Sequence, residues 1–285
     1  VVGGGPAGMN AARAAHVRGH KVTLYEQGSR LGGQLFLAAA PPGREEFAEL
    51  ARDLAQQLVI KKIPVVLNQE VSADLIAKEK PDAVILATGA REVTPPIPGI
   101  DLPHVVQAWD VLAGNVHTGQ RVVVIGGGAV GVETAMFLAE KGTLSGEALK
   151  FLITNRAEDP AVLYDLSIRG TKSVVLVEMI AKVGQDIGRS TRWGMLQELV
   201  RAGVKTETNT KALEIVEEGV KVEKDGKEKL LEADTVVIAA GSAPYNPLEE
   251  VLKDQEISYQ VVGDAKQVAR AFDAVHAGYR AGTTV

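Results

Sequence analysis

The chain carries one glycine signature twice, as GGGPAG at Gly3–Gly8 and as GGGAVG at Gly126–Gly131. Each copy reads GxGxxG, a pattern that chance supplies often, so the flanks decide its meaning. Before the second copy, Arg121–Ile125 (RVVVI) is an unbroken run of mostly β-branched residues suited to a strand buried on both faces. After it, VETAMFLAEKG reads as a helix closed by Gly142. In such a strand–loop–helix unit the first glycine makes the tight turn, the second lets a pyrophosphate approach the backbone, and the third lets helix pack on strand. Pro6 and Ala7 in the first copy, and Ala129 and Val130 in the second, open helices whose first N–H groups lack intrahelical partners and favour an anion. Two dinucleotides are therefore expected, one on Gly3, Gly5 and Gly8 and one on Gly126, Gly128 and Gly131, in an α/β chain of two Rossmann-like domains.

The remaining composition narrows the function. A length of 285 residues at 46% hydrophobic content suffices for two modest cores. A net charge of −5 argues against nucleic-acid and anionic-membrane partners, and the apolar run Val122–Val132 is too short to span a bilayer. The reading is a soluble, cytoplasmic protein. The absence of cysteine removes disulfides, thiolate metal sites, iron–sulfur ligation and dithiol catalysis from this segment. Only Val1 and Val2 precede Gly3, where a strand of about five or six residues is usual, so the sequence is read as part of a longer polypeptide.

The halves repeat. After the first loop a helix over Ala7–Arg18 leads to the strand KVTLYE, which delivers Glu26 near the ~20-residue offset at which an acid accepts hydrogen bonds from an adenosine ribose. PDAVILATGA (Pro81–Ala90) and ADTVVIAAGS (Ala233–Ser242) are two versions of one phrase: acid, buried strand, small-residue turn. In the second half SVVLVE (Ser173–Glu178) places Glu178 at the ribose position. A carboxylate there suits two free hydroxyls and repels a 2′-phosphate, which favours NADH over NADPH. Thr143–Lys172 intervenes where a short turn is usual, and its apolar residues are spaced as two short helices. The preferred reading is a surface excursion covering its own apolar stripe, ahead of a docking face or lid. KALEIV, VKVEK and KEKLL, joined through EEG and Asp225–Gly226, read as a three-stranded meander.

These features resemble the two-dinucleotide flavoproteins of the pyridine nucleotide–disulfide oxidoreductase superfamily. LGGQL (Leu31–Leu35) is similar to the turn that closes over the FAD pyrophosphate and ribityl chain; ATGA (Ala87–Ala90) resembles the crossover that touches FAD; and VVGDA (Val261–Ala265) resembles the GD motif whose acid bonds the ribityl hydroxyls. The resemblance implies that Gly3, Gly5, Pro6, Ala7, Gly8, Glu26, Gln27, Gly33, Gln34, Leu35, Val71, Ala87, Thr88, Gly89, Gly263, Asp264 and Val268 hold FAD. It likewise assigns NADH to Gly126, Gly128, Ala129, Val130, Gly131, Glu133, Glu178 and Gly241, with dipole compensation a near-equal reading of Glu133. It implies an FAD-binding domain of residues 1–114 and 243–285 into which an NADH-binding domain, 115–242, is inserted. A helix over Gln267–Gly278 would point Val268 and Ala269 at the flavin.

No CxxC is present, so a thiol acceptor is excluded. GGQL, GTLSGEALKF and STRWGMLQEL (Ser190–Leu199) instead resemble the C-terminal region of 2,4-dienoyl-CoA reductases, 2-enoate reductases and NADH:flavin oxidoreductases. That resemblance implies an N-terminal FMN barrel and a 4Fe-4S cluster upstream in the same polypeptide. It also implies hydride transfer from NADH to FAD, and onward electron transfer serving reduction of an activated C=C bond. Two other readings stay open: a stand-alone NADH:acceptor reductase, and a non-catalytic ADP- or NAD-binding scaffold. The oligomeric state and final acceptor also stay open. The five histidines show no metal-ligand spacing, Trp193 is expected in the core beside Met195 and Leu199, and Arg44 is either a phosphate contact or a surface residue.

Overall fold

A computed structural model describes residues 1–285, which divide into two compact units, Val1–Arg91 with Ser242–Val285, and Glu92–Gly241. In the first unit, Leu24–Tyr25 pairs in parallel with Val65–Val66, and Ala83–Leu86 pairs in parallel with Ser258–Val261. Val2 bridges Tyr25 on one side and Leu86 on the other, joining the two pairs into one parallel sheet with the first residues of the chain at its centre. The ladder expected over Lys21–Glu26 is confined to Leu24–Tyr25.

Helix Pro6–Val17 starts at the first glycine loop with proline at its first turn, a position where no N–H is missed. It packs along the closing helix Ala271–Thr284 at close range because both surfaces are small. Ala7, Ala11, Ala14 and Ala15 are buried on one helix. On the other, β-carbons at Gly278 and Gly282 would run into the carbonyls of Ala7 and Ala11. Asn10, itself buried, donates from Nδ2 to the Val275 carbonyl at 2.8 Å and fastens the pair. The closing helix begins at Ala271, not at Gln267 as expected. Asp264 Oδ1 accepts from the Ala269 N–H at 3.1 Å and holds the chain out of helix there, and Arg270 with Asp273 then caps the first turn.

The second unit is built on a five-stranded parallel sheet ordered Val105–Gln107, Thr235–Ile238, Arg121–Ile125, Ser173–Val177, Lys205–Glu207. Alternation sends Val122 and Val124 to a helical layer with Val132, Ala135, Leu138, Met195 and Leu199. Val123 and Ile125 face instead a layer with Ile215, Val220 and Val222 of the meander. This is why the central strand is apolar at every position except its edge. The meander comprises Thr210–Val216, Gly219–Lys224 and Lys227–Glu232, and its tip places Asp225 and Gly226 at φ 53° and 72°, as a tight hairpin turn requires. Residues 92–114 lie in this unit, because Val105–Gln107 pairs with Thr235–Ile238.

Thr143–Lys172 forms helices Gly146–Thr154 and Pro160–Ile168, capped by Ser145 and Asp159. The expected self-covering stripe does not close: Leu163 is buried, but Phe151 is 64% exposed and Ile153, Tyr164 and Leu166 are exposed too. Trp193 also departs from expectation. In helix Arg189–Arg201 it is 65% exposed, because Met195 and Leu199 occupy the face toward the sheet. No helix is long and apolar enough to cross a membrane.

Candidate functional site

In the first loop Gly3 adopts φ 103°, and a β-carbon there would strike the Ala87 carbonyl. A β-carbon at Gly8 would strike the carbonyl of Gly3. These two glycines are demanded by the fold. Gly5 is different: its φ of −73° is open to any residue, and a β-carbon would meet nothing within 4 Å. The space in front of the helix is left clear by Gly5, not filled by packing.

Glu26 turns back onto this loop, with Oε2 accepting from the Gly4 N–H at 2.6 Å and Oε1 from the Gly28 N–H at 2.6 Å. Gly32 donates to the Gly4 carbonyl at 2.8 Å and brings the LGGQL turn over the loop. Gly33, at φ 52°, lies so near that its β-carbon would be 3.2 Å from the Gly5 α-carbon. Gln34 hydrogen-bonds Asp264, and its Nε2 approaches Gly89. Burial pushes the Asp264 carboxyl up, while hydrogen bonds from Ala269 and Gln34 act in the opposite direction. The Thr88 hydroxyl donates to the Tyr245 carbonyl, the Tyr245 N–H donates to Gly89 at 2.9 Å, and the Arg91 guanidinium stacks 3.4 Å from the Tyr245 ring centroid. Gly5, Gly33, Gln34, Gly89 and Asp264, distant in sequence, thus converge.

The other first-unit candidates are less central. Leu35 and Ala87 are buried supports, and Gly263, at φ 62°, fits tightly against Ala7. Val71 packs at the edge of the cluster around Ile76 and Leu86. Gln27 and Val268 are exposed, Val268 in the non-helical stretch before Ala271.

The second loop repeats the first. Gly126, at φ 110°, abuts the Ala239 carbonyl, and Gly131 abuts Gly126. Glu178 accepts from the Gly127 N–H at 2.7 Å and from the Ile180 N–H at 2.9 Å, matching Glu26 bond for bond. Gly184 donates to the Gly127 carbonyl at 2.6 Å, as Gly32 does to Gly4. Val183-Gly184-Gln185-Asp186-Ile187 is therefore a second copy of Leu31-Gly32-Gly33-Gln34-Leu35, a repeat the sequence reading missed although both segments begin five residues after their acids. Asp186 takes the place of Gln34, and its two carboxylate oxygens accept from the Ala129 N–H at 2.8 and 3.0 Å. Ala129 and Val130 are the first two residues of helix Ala129–Ala139; Glu133 lies beyond the first turn, half-buried. Gly241, at φ 95°, has open space around its α-carbon, in the position that Gly89 holds in the first copy. No cluster of His, Cys, Asp and Glu suited to a metal ion occurs in the chain.

A family model described as pyridine nucleotide-disulphide oxidoreductase matches residues 1–267. A metal reductase of Desulforamulus reducens is 44% identical across 98% of this chain and 42% of its own length. An NADH oxidase of Thermoanaerobacter brockii is 39% identical across 98% of this chain and 40% of its own length. The solved structure of a 2-naphthoyl-CoA reductase in complex with 2-naphthoyl-CoA matches with a TM-score of 0.85 at 30% identity, over 100% of this chain and 39% of that one. The chain therefore spans about two fifths of the length of each of these relatives. With most of its length accounted for by one family model, the chain belongs to the pyridine nucleotide-disulphide oxidoreductase family, whose fold serves oxidoreductases that bind FAD and NAD(P)H.

Proposed function

We propose that the first glycine loop holds FAD, the second holds NADH, and the chain works as the NADH-oxidising flavin module of a larger cytoplasmic reductase. The observation that carries the assignment is the asymmetry between two otherwise matching loops: only the first has a Gln34–Asp264 pair beside it. The clear space at Gly5 fits a pyrophosphate at the helix N-terminus, where Pro6 and Ala7 begin the turn. Glu26 stands where a ribose would be read, and Gln34, Thr88, Gly89 and Asp264 present polar and backbone groups to a flavin side chain. Glu178 supports NADH over NADPH, as does the similarity to an NADH oxidase.

When bound, FAD takes two electrons from NADH and can release them singly to a one-electron centre. The chain's own residues bind each nucleotide and need supply no acid, base or nucleophile. The resemblance to 2-enoate and 2,4-dienoyl-CoA reductases makes an activated C=C bond the final acceptor, reached through an FMN barrel and a 4Fe-4S cluster in the same polypeptide; coverage of only 39% of the 2-naphthoyl-CoA reductase supports the presence of further domains. The test is stoichiometry: reconstituted and dialysed, the chain should retain one FAD and bind one NAD+ without losing flavin. Retention of ADP with no flavin uptake would overturn the proposal in favour of a scaffold.

A further inference from the structure

We infer that Asp186 is an affinity-setting residue of the second loop, an internal anion that must be displaced from the helix N-terminus before a dinucleotide pyrophosphate can settle there. This deepens the assignment of NADH to that loop and rests on it. Three observations on this chain carry it. The carboxylate of Asp186 accepts from Ala129, the first N–H of the helix that follows GGGAVG, through both oxygens. It reaches across 57 residues of sequence to do so, so the contact is tertiary and not a local cap. An oxygen of the same carboxylate lies 3.2 Å from where a β-carbon at Gly128 would stand, inside the space that the second glycine of the motif keeps free for phosphate.

The first repeat lacks this contact, since Pro6, which stands where Ala129 does, has no N–H to give. At the position equivalent to Asp186, Gln34 is neutral and turns toward Asp264, and a β-carbon at Gly5 would meet nothing within 4 Å. The two helix N-termini differ at both partners of this contact: Pro6 offers no N–H where Ala129 does, and Gln34 is neutral where Asp186 is a carboxylate, so only the second already has an anion.

The surroundings let the carboxylate leave without unfolding the turn. Val183 and Ile187, on either side, are buried in the helical-layer core, and Gly184 is tied to Gly127. Asp186 itself is exposed, so rotation of its side chain into water frees Ala129 while the backbone stays anchored. A pyrophosphate then replaces one charge-assisted bond at the helix terminus with its own, against whatever repulsion the displaced carboxylate still exerts.

The experiment measures NAD+ binding by calorimetry on the FAD-loaded protein, for the wild type, Asp186→Asn and Asp186→Ala. NAD+ carries the pyrophosphate but does not reduce flavin, so the readout is binding alone. Asp186→Asn keeps shape and removes charge; Asp186→Ala removes the group. Affinity should rise roughly fivefold or more in both, the scale on which a carboxylate at a helix N-terminus acts. In parallel, Asp186→Ala should melt below the wild type without nucleotide and recover that deficit at saturating NAD+, which a merely structural role would not produce. Wild-type binding with equal or weaker binding by Asp186→Asn overturns the inference alone. No binding by any of the three overturns the NADH assignment and the inference with it.

Discussion

Gly5 and Gly128 hold the same place in two copies of one motif, yet a β-carbon at Gly5 would meet nothing within 4 Å while one at Gly128 would lie 3.2 Å from a carboxylate oxygen of Asp186. Around them the copies agree closely. Glu26 and Glu178 each accept two backbone N–H bonds, and Gly32 and Gly184 each donate to the loop they cover. The first and third glycines set the backbone of each loop, and on the proposed assignment side chains arriving from elsewhere set what the loop accepts. In the first unit those are Gln34 and Asp264; in the second it is Asp186.

The hardest test of that division is to fill the second glycine. Gly5→Val and Gly128→Val place a side chain at φ −73° and −70°, which valine tolerates, so each unit should fold. Gly5→Val should abolish FAD retention, and Gly128→Val should abolish NAD+ binding while flavin stays bound, both read by flavin absorbance and calorimetry. Loss of folding in either variant, seen by circular dichroism, would break the separation of scaffold glycine from ligand glycine.

The third glycine should behave in the opposite way. Gly8→Ala and Gly131→Ala drive a β-carbon into the carbonyls of Gly3 and Gly126, overpacking worth about 2–3 kcal/mol in each unit. Urea denaturation should show matched losses, since the geometry is matched.

Much of this was legible in the sequence, and the reason is locality. Glycine spacing, the run Arg121–Ile125 and the Asp225–Gly226 turn encode their structure over a few residues, and the acids Glu26 and Glu178 follow at a fixed distance. What could not be read depends on meetings between distant segments. The contact from Asp186 to Ala129, the fit of Gly278 and Gly282 against the first helix, and the pairing of Val105–Gln107 with Thr235–Ile238 have no local signature. Trp193 and Phe151 misled for the same reason: helical spacing marks a stripe but does not say which residues of it face the sheet.

A smaller effect tests whether the two acids are equivalent in role. Glu26→Gln and Glu178→Gln each leave two loop N–H groups facing a neutral amide, a loss on the scale of about 1.5–3 kcal/mol for bonds to a charged group. Glu26→Gln should weaken FAD, and Glu178→Gln should weaken NADH and narrow its advantage over NADPH. Equilibrium titration with each nucleotide checks both, and an unchanged NADH/NADPH ratio in Glu178→Gln would contradict the reading of that residue.

The smallest effect concerns pH. Burial pushes Glu92, at the start of the second unit, up to about 7 from its ordinary 4.5; Asp110 adds to the rise, and the bond it accepts from the Trp109 N–H opposes it. The folded carboxyl then holds its proton more tightly than the unfolded one, so this group's contribution falls as pH rises from about 4.5 to about 7. Glu92→Gln should flatten the fall in denaturation midpoint across that window and leave FAD retention unchanged. A wild-type midpoint that rises through the window would reverse the sign assigned to Glu92.

The central claim, that one chain binds FAD and oxidises NADH with it, is tested most directly by the anaerobic visible spectrum of the FAD-loaded protein after addition of NADH and, separately, of NADPH. The account predicts flavin bleaching with both, faster with NADH. Flavin that stays bound and oxidised in the presence of either nucleotide would contradict it.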